Sequence, residues 1–312
     1  MSQSKAPVRF AVLVGPTAGG KSALAVEVAK AVGGEVVTCD ALQVYRGLDI
    51  ATAKPTEVER GGVPHHLIDL VEPTEAFTVH DWLAAAESAI ADIHARGKTP
   101  IVVGGTHLYV KAFLEGLFEG PPADEALRAE LRAMGLATLR AELERVDPEA
   151  AGRLHPNDER RTIRALEVQR LTGTPISELQ AQWDRAASAR TDCVLVGLAW
   201  PTEAINPRIN ARVKQMMEAG LLEETRRLHE AGTLGPQARE ALGTKQLLRH
   251  LAGDWTIDEA VEQIKIETRR FAKNQRTWLR RLRRTPGSVW LDAAEADRPT
   301  LRGAVLRAIG VR

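Results

Sequence analysis

The chain reads as an α/β protein, a parallel sheet flanked by helices and interrupted by a helical insertion domain. Three observations predict this. Short apolar runs alternate with helical stretches through the first third of the sequence. A glycine-rich phosphate-loop motif follows the first apolar run directly. After Gly120-Pro121-Pro122 the pattern turns helical, and an apolar strand returns only near Cys193.

The elements follow in order. Arg9 to Val14 (RFAVLV) is a buried strand running straight into Gly15. Ser22 to Val32 has helical apolar spacing through Leu24, Val28 and Ala31, and Gly33-Gly34 end it. Glu35 to Cys39 (EVVTC) is a second short strand. Thr78, with Asp81 three residues on, caps a long alanine-rich helix reaching about Arg96. Pro100 to Val103 (PIVV) is a third strand, delivering Gly104-Gly105-Thr106. Strand, helix, strand, helix, strand calls for parallel pairing with right-handed crossovers. Residues 1–122 are thus expected to form the first part of a core. Residues 123–190 form the helical insertion, broken at Pro148, His155-Pro156-Asn157 and Thr172 to Pro175. Residues 191–312 return to the core with the strand Cys193 to Ala199, further helices and a last strand at Ser288 to Leu291.

Composition excludes several classes. With 312 residues, 44% of them hydrophobic and 27% charged, the chain can bury a sizeable core. No apolar run approaches the ~18 residues a membrane helix needs. The polar start, Met1 to Pro7, lacks a signal-peptide layout, so a cytoplasmic protein with no membrane contact is expected. Two cysteines, Cys39 and Cys193, cannot build a disulfide framework or a CxxC pair. The adjacent His65 and His66 lack a third ligand at metal spacing and read as structural.

The net charge of +1 conceals a concentration of basic residues. Between Ile264 and Arg284 stand Lys265, Arg269, Arg270, Lys273, Arg276, Arg280, Arg281, Arg283 and Arg284 against Glu267 alone. Arg269, Lys273, Arg276, Arg280 and Arg284 recur at helical spacing, with Ile264, Phe271, Trp278 and Leu282 as an apolar docking face. A nearly single-signed stripe in an otherwise acidic chain repels itself unless a polyanion lies nearby, which points to nucleic acid or a multi-phosphate ligand.

Gly15-Pro16-Thr17-Ala18-Gly19-Gly20-Lys21-Ser22 fits G-x-x-x-x-G-K-[ST] at every fixed position, between a strand and a helix. The fold is therefore expected to be P-loop NTPase-like. The glycines let backbone N–H groups surround phosphate oxygens, Lys21 reaches the terminal phosphates, and the Ser22 hydroxyl is placed to ligate magnesium. The loop names a diphosphate or triphosphate, not a reaction. NTP hydrolases hold magnesium with an aspartate ending a hydrophobic strand, whereas Ile101 to Val103 ends in Gly-Gly-Thr. Asp40, at the carboxyl end of the second strand, is better placed as a base facing the transferred group, with Thr106 on the same edge. A small-molecule kinase and a non-catalytic RNA-binding P-loop protein stay open as alternatives. The basic stripe argues against the first, and Asp40 beside Thr106 against the second.

These motifs belong to a longer collinear series: GPTAGGKS (Gly15 to Ser22), DALQVYRGLDIATAKP (Asp40 to Pro55), PHHLIDLVEP (Pro64 to Pro73) and VVGGTHLYVKAFLEG (Val102 to Gly116). HPNDERRTIRALEV (His155 to Val168), RINARVKQMMEAGLLEET (Arg208 to Thr225), ALGTKQL (Ala241 to Leu247) and TRRFAKNQRTWLRR (Thr268 to Arg281) continue it. Over nearly its whole length the sequence resembles the bacterial tRNA dimethylallyltransferases.

The resemblance implies transfer of a five-carbon isoprenoid from dimethylallyl diphosphate to the adenosine 3′ of the anticodon, in tRNAs reading codons that begin with U. It implies that the P-loop, Gly15 to Ser22, holds the donor diphosphate with Mg2+; weak occupation by ATP is expected as well, since the cradle cannot read what lies beyond the phosphates. It implies Asp40 as general base, aided by Thr106 and Lys21, with Arg226 on the diphosphate. Contacts to the tRNA anticodon stem-loop are implied for Asp40, Ala41, Leu42, Gln43, Thr106, Arg128, Arg160, Arg161, Arg164, Gly243 and Lys245. The stripe residues Arg269, Lys273 and Arg276 join them, and the insertion clasps the stem-loop. A monomer is expected. Ala41 stands where the family has serine, and Asn274 where it has a basic residue.

Overall fold

The computed structural model describes residues 10–118, 120–181 and 190–311. Strand β1 (Phe10–Val14) leads through the phosphate loop into α1 (Lys21–Val32), and β2 (Glu35–Cys39) follows. Next come the one-turn helix α2 (Glu57–Arg60), a two-residue β3 (His65–His66), α3 (Val79–Ala95), β4 (Pro100–Gly104) and α4 (His107–Glu115). Five helices succeed them: α5 (Glu125–Ala133), α6 (Leu136–Val146), α7 (Pro148–Arg153), α8 (Glu159–Thr172) and α9 (Ile176–Gln180). The chain continues with β5 (Cys193–Ala199), α10 (Thr202–Glu218), α11 (Leu221–Glu230), α12 (Thr244–Leu251), α13 (Ile257–Leu282), β6 (Val289–Asp292) and α14 (Arg298–Ala308).

The strands form one parallel sheet in the order β3-β2-β4-β1-β5-β6. Helices cover both faces, which is why β1 and β2 are buried at every position and read as continuous apolar runs without alternation. Register aligns the strand ends. Gly104 pairs with Cys39 on one side and with Val14 on the other. The next residues, Gly105, Asp40 and Gly15, therefore leave three neighbouring strands at one level of the carboxyl edge, where ligands of open α/β sheets collect. Strand β3 escaped the sequence reading because two residues leave no periodicity to detect.

The chain divides into two compact units, one up to Ala112 and from Arg190 onward, the other Phe113–Ala189. This division falls within α4, ahead of the Gly120–Pro122 break from which the sequence reading started the insertion; the helix runs through the unit boundary without a change of texture. The second unit packs α6 on α8 around Leu131, Leu139, Leu143, Ile163 and Leu166.

Helix α13 corrects one expectation. Its buried face is Ala260, Ile264, Ala272, Gln275, Leu279 and Leu282, whereas Phe271 is exposed and Trp278 stacks on His107, ring centroids 5.4 Å apart. Small Ala272 permits the close helix approach that Phe271 would prevent. Arg284 lies beyond the helix end and is not on its stripe.

The segment after β2 is held by two buried ions. Glu224 on α11 accepts the backbone N–H groups of Asp49, Ile50 and Ala51 at 2.9, 2.8 and 2.9 Å. Lys54 donates to Asp49 at 2.7 Å and also bonds Asp69 and the Tyr45 carbonyl. Glu224→Ala strands three amides at once and is expected to cost about 3 kcal/mol, read from urea unfolding.

Candidate active site

The phosphate loop bends through residues in left-handed backbone, Ala18 (φ 59°) and Gly20 (φ 80°). Glycine accepts that geometry without cost, alanine does not. Side chains from the C-terminal half hold the bend open. Arg208 Nε donates to the Ala18 carbonyl at 3.0 Å, Trp200 Nε1 to that of Gly19 at 3.2 Å, and Arg298 Nη1 to that of Gly20 at 3.0 Å. With three successive carbonyls engaged this way, the loop amides and the amino end of α1 supply the positive side of the bend.

Lys21 begins α1 and donates to the Pro16 carbonyl at 2.8 Å. Burial, reinforced by the charge of Arg212, lowers its ammonium to about 8. Asp40 lies two strands away, its Oδ1 accepting the N–H groups of Leu42 (2.9 Å) and Gln43 (3.3 Å). Burial pushes this carboxyl above its usual range, while those two N–H groups, Lys21 and Arg212 pull it back. Between them, Thr106 Oγ1 accepts the Ala41 N–H at 3.1 Å and fastens the β4 loop to the β2 loop. The arrangement can hold an anion at one end and take up a proton at the other.

Arg226 is not part of this group. Its guanidinium binds Glu223 at 2.6 Å on the partly exposed side of α11. The arginine whose charge acts on both Lys21 and Asp40 is the half-buried Arg212 on α10. A signal for it existed in the sequence: Arg208 and Arg212 stand four apart in RINAR, on one helix face. Gln275 was also missed. It is buried at 3% exposure inside the basic helix and bonds both the phosphate loop and Gly105.

The other candidate RNA contacts differ in how much charge they leave available. Lys273 is exposed. Arg276 is half-buried, and among the described residues its Nη1 has no partner. Arg269 donates to Asn210 at 2.8 Å and pairs with Glu262 at 3.3 Å, and Lys245, two residues past the Gly243 cap in the first turn of α12, pairs with Glu267 at 2.9 Å. Gln43 Nε2 donates to the Thr52 carbonyl. In the second unit, Arg128 and Arg164 both turn onto the fully buried Glu167, whereas Arg160, Arg161 and Arg170 are exposed on α8, Arg170 pairing with Glu142 at 2.9 Å. His65 bonds the Val63 carbonyl and His66 the buried Glu35, a structural use of both rings.

No group of three His, Cys, Asp or Glu side chains able to hold a metal occurs among the described residues. The exposed Ser22 hydroxyl, beside Lys21, is the protein oxygen at the cradle that could ligate a divalent ion. No described helix is long and apolar enough to cross a membrane.

Sheet and phosphate loop define a P-loop NTPase-like α/β protein. A family model described as IPP transferase matches residues 43–282, and one described as isopentenyl transferase matches residues 8–69. The tRNA dimethylallyltransferase of Geobacter sulfurreducens is 45% identical over 93% of this chain and 94% of its own. That of Shouchella clausii is 46% identical over 91% of each. A solved tRNA isopentenylpyrophosphate transferase from Bacillus halodurans superposes with a TM-score of 0.71 at 38% identity, covering 97% of both chains. A eukaryotic dimethylallyltransferase, captured acting on tRNA, gives 0.79 at 31% identity over 92% of this chain and 74% of that one. The chain belongs to the tRNA dimethylallyltransferase family of prenyl-transferring enzymes.

Proposed function

We propose that this protein transfers a dimethylallyl group from dimethylallyl diphosphate to the exocyclic amine of the adenosine 3′-adjacent to the anticodon, in tRNAs reading codons that begin with U. The observation that carries this reading is the anion cradle and Asp40 sharing one sheet edge, with the charges of Lys21 and Arg212 acting on Asp40. The amine attacks the allylic carbon, a carbon–nitrogen bond forms as the carbon–oxygen bond to diphosphate breaks, and Asp40 accepts the proton. Negative charge grows on the departing diphosphate, where Lys21, Arg212 and the loop amides oppose it. Magnesium, when bound, would find the Ser22 hydroxyl as a ligand and would supply Lewis-acid stabilisation of that charge. The target base must leave its stack to reach this sheet edge, and an anticodon loop is already single-stranded, so the cost is only about a few kcal/mol.

The basic face of α13 supports a phosphate-backbone partner. Lys273→Ala combined with Arg270→Ala is expected to weaken stem-loop binding and flatten its salt dependence, by about 0.7–0.9 in log–log slope for each phosphate no longer neutralised. Arg269→Ala, already engaged by Asn210 and Glu262, should change the slope less. An unchanged slope in the double variant would return α13 to the status of a solvated face.

Incubation with dimethylallyl diphosphate and an unmodified anticodon stem-loop, followed by nucleoside mass analysis, tests the reading. One adenosine gaining a five-carbon isoprenoid unit supports it. A nucleoside profile unchanged after incubation with folded protein counts against it.

A further inference from the structure

Gln275 is the one carboxamide on the buried face of a helix whose outer face is basic. Its Oε1 accepts the Thr17 N–H at 2.7 Å, and its Nε2 donates to the Gly105 carbonyl at 3.1 Å. One amide thus ties the loop after β1 to the loop after β4. The next residue, Thr106, holds Ala41 through its Oγ1, and Ala41 follows Asp40. The bonds run unbroken from the phosphate loop through Gln275, Gly105-Thr106 and Ala41 to Asp40. Gly105 is suited to this packing, since a Cβ there would come within 2.6 Å of Gln275 Nε2.

We propose that Gln275 is a positioning residue that fixes the separation between the diphosphate cradle and the general base, an inference that rests on the prenyl-transfer reading above. Both hydrogen bonds of Gln275 go to backbone, that of Thr17 and that of Gly105. It acts through these two loops, and it enters the site from the helix whose outer face is basic. Transfer requires the allylic carbon, anchored through its diphosphate, to lie about 3–3.5 Å from the attacking amine, and an error near 1 Å costs about 10² in rate. A slackened link between Thr17 and Gly105 leaves each binding surface intact but lets their spacing drift. The expected signature is a loss in turnover without a matching loss in affinity.

The test compares wild type, Gln275→Leu and Gln275→Glu in single-turnover transfer at saturating dimethylallyl diphosphate and stem-loop, with both KM values and thermal melting measured alongside. Gln275→Leu removes both bonds at similar volume and should lower kcat by about 10–10²-fold, with each KM within about threefold of wild type. Gln275→Glu keeps an oxygen for the Thr17 N–H but cannot donate to Gly105 when ionised, and should fall between the two. A kcat within threefold of wild type in both variants overturns the proposal. So does a rise in both KM values with kcat unchanged, which is the pattern of general loosening. If Gln275→Leu does not fold, the same split in Gln275→Glu decides. Transfer by the wild type is read separately, so its absence condemns the prenyl-transfer reading and not the role of Gln275.

Discussion

Asp40→Ala is expected to lower turnover by about 10²–10⁴-fold, the range for loss of a positioned general base. Asp40→Asn should do nearly the same while preserving the loop, because an amide oxygen still accepts the Leu42 and Gln43 N–H groups that the carboxylate holds now. Binding of stem-loop and donor should change far less in either variant. The pH profile carries the same signature. Burial raises the Asp40 carboxyl, so the acid limb of kcat/KM should lie above the ordinary carboxylate range, since the base works only when ionised. Turnover within a few-fold of wild type in Asp40→Asn would remove this residue from proton transfer.

Lys21→Ala should reduce transfer by about 10²–10³-fold by withdrawing the cation that meets the departing diphosphate. Lys21 also sets an alkaline limit. Burial and Arg212 bring its ammonium down to about 8, so in the free enzyme the charge is present below that pH and lost above it. The kcat/KM for the donor should therefore fall as pH rises past about 8, while kcat, which reports the complex, should hold to higher pH because bound diphosphate favours the charged form. Arg212→Ala should weaken donor binding and, by removing the repulsion, shift that limit upward. A donor kcat/KM flat well past pH 8 would contradict the placement of this lysine.

Much of this site was legible in the sequence, and the parts that were not share a cause. The phosphate loop and the strand-end Asp40 and Thr106 announce themselves by position: each follows an apolar run, and register then brings all three to one edge. Strands β2 and β5 match the expected bounds because both faces are covered and the apolar runs stop where the sheet does. Side-chain roles inside helices were harder. Arg226 and Arg212 are both helical arginines in the same stretch, and only tertiary packing turns one to the surface and the other toward Lys21. Gln275 is hidden in a basic run because a buried amide at a helical core position mimics an interruption of the apolar face. Arg128 and Arg164 look equally available for RNA until Glu167 is seen buried between them.

On the proposed reading, a loop of nucleotide-binding form serves an isoprenoid diphosphate. The cradle offers amides, Lys21 and Arg212 to a diphosphate, and the described strand ends beside it place Gly105 and Asp40, with Asp40 assigned to the acceptor amine. The most direct measurement is transfer from dimethylallyl diphosphate to an unmodified anticodon stem-loop in magnesium buffer freed of all nucleotides. Full transfer is expected there, with one diphosphate released per adenosine modified and inorganic pyrophosphate competing with the donor. A strict requirement for ATP, with ADP formed in step with product, would contradict it.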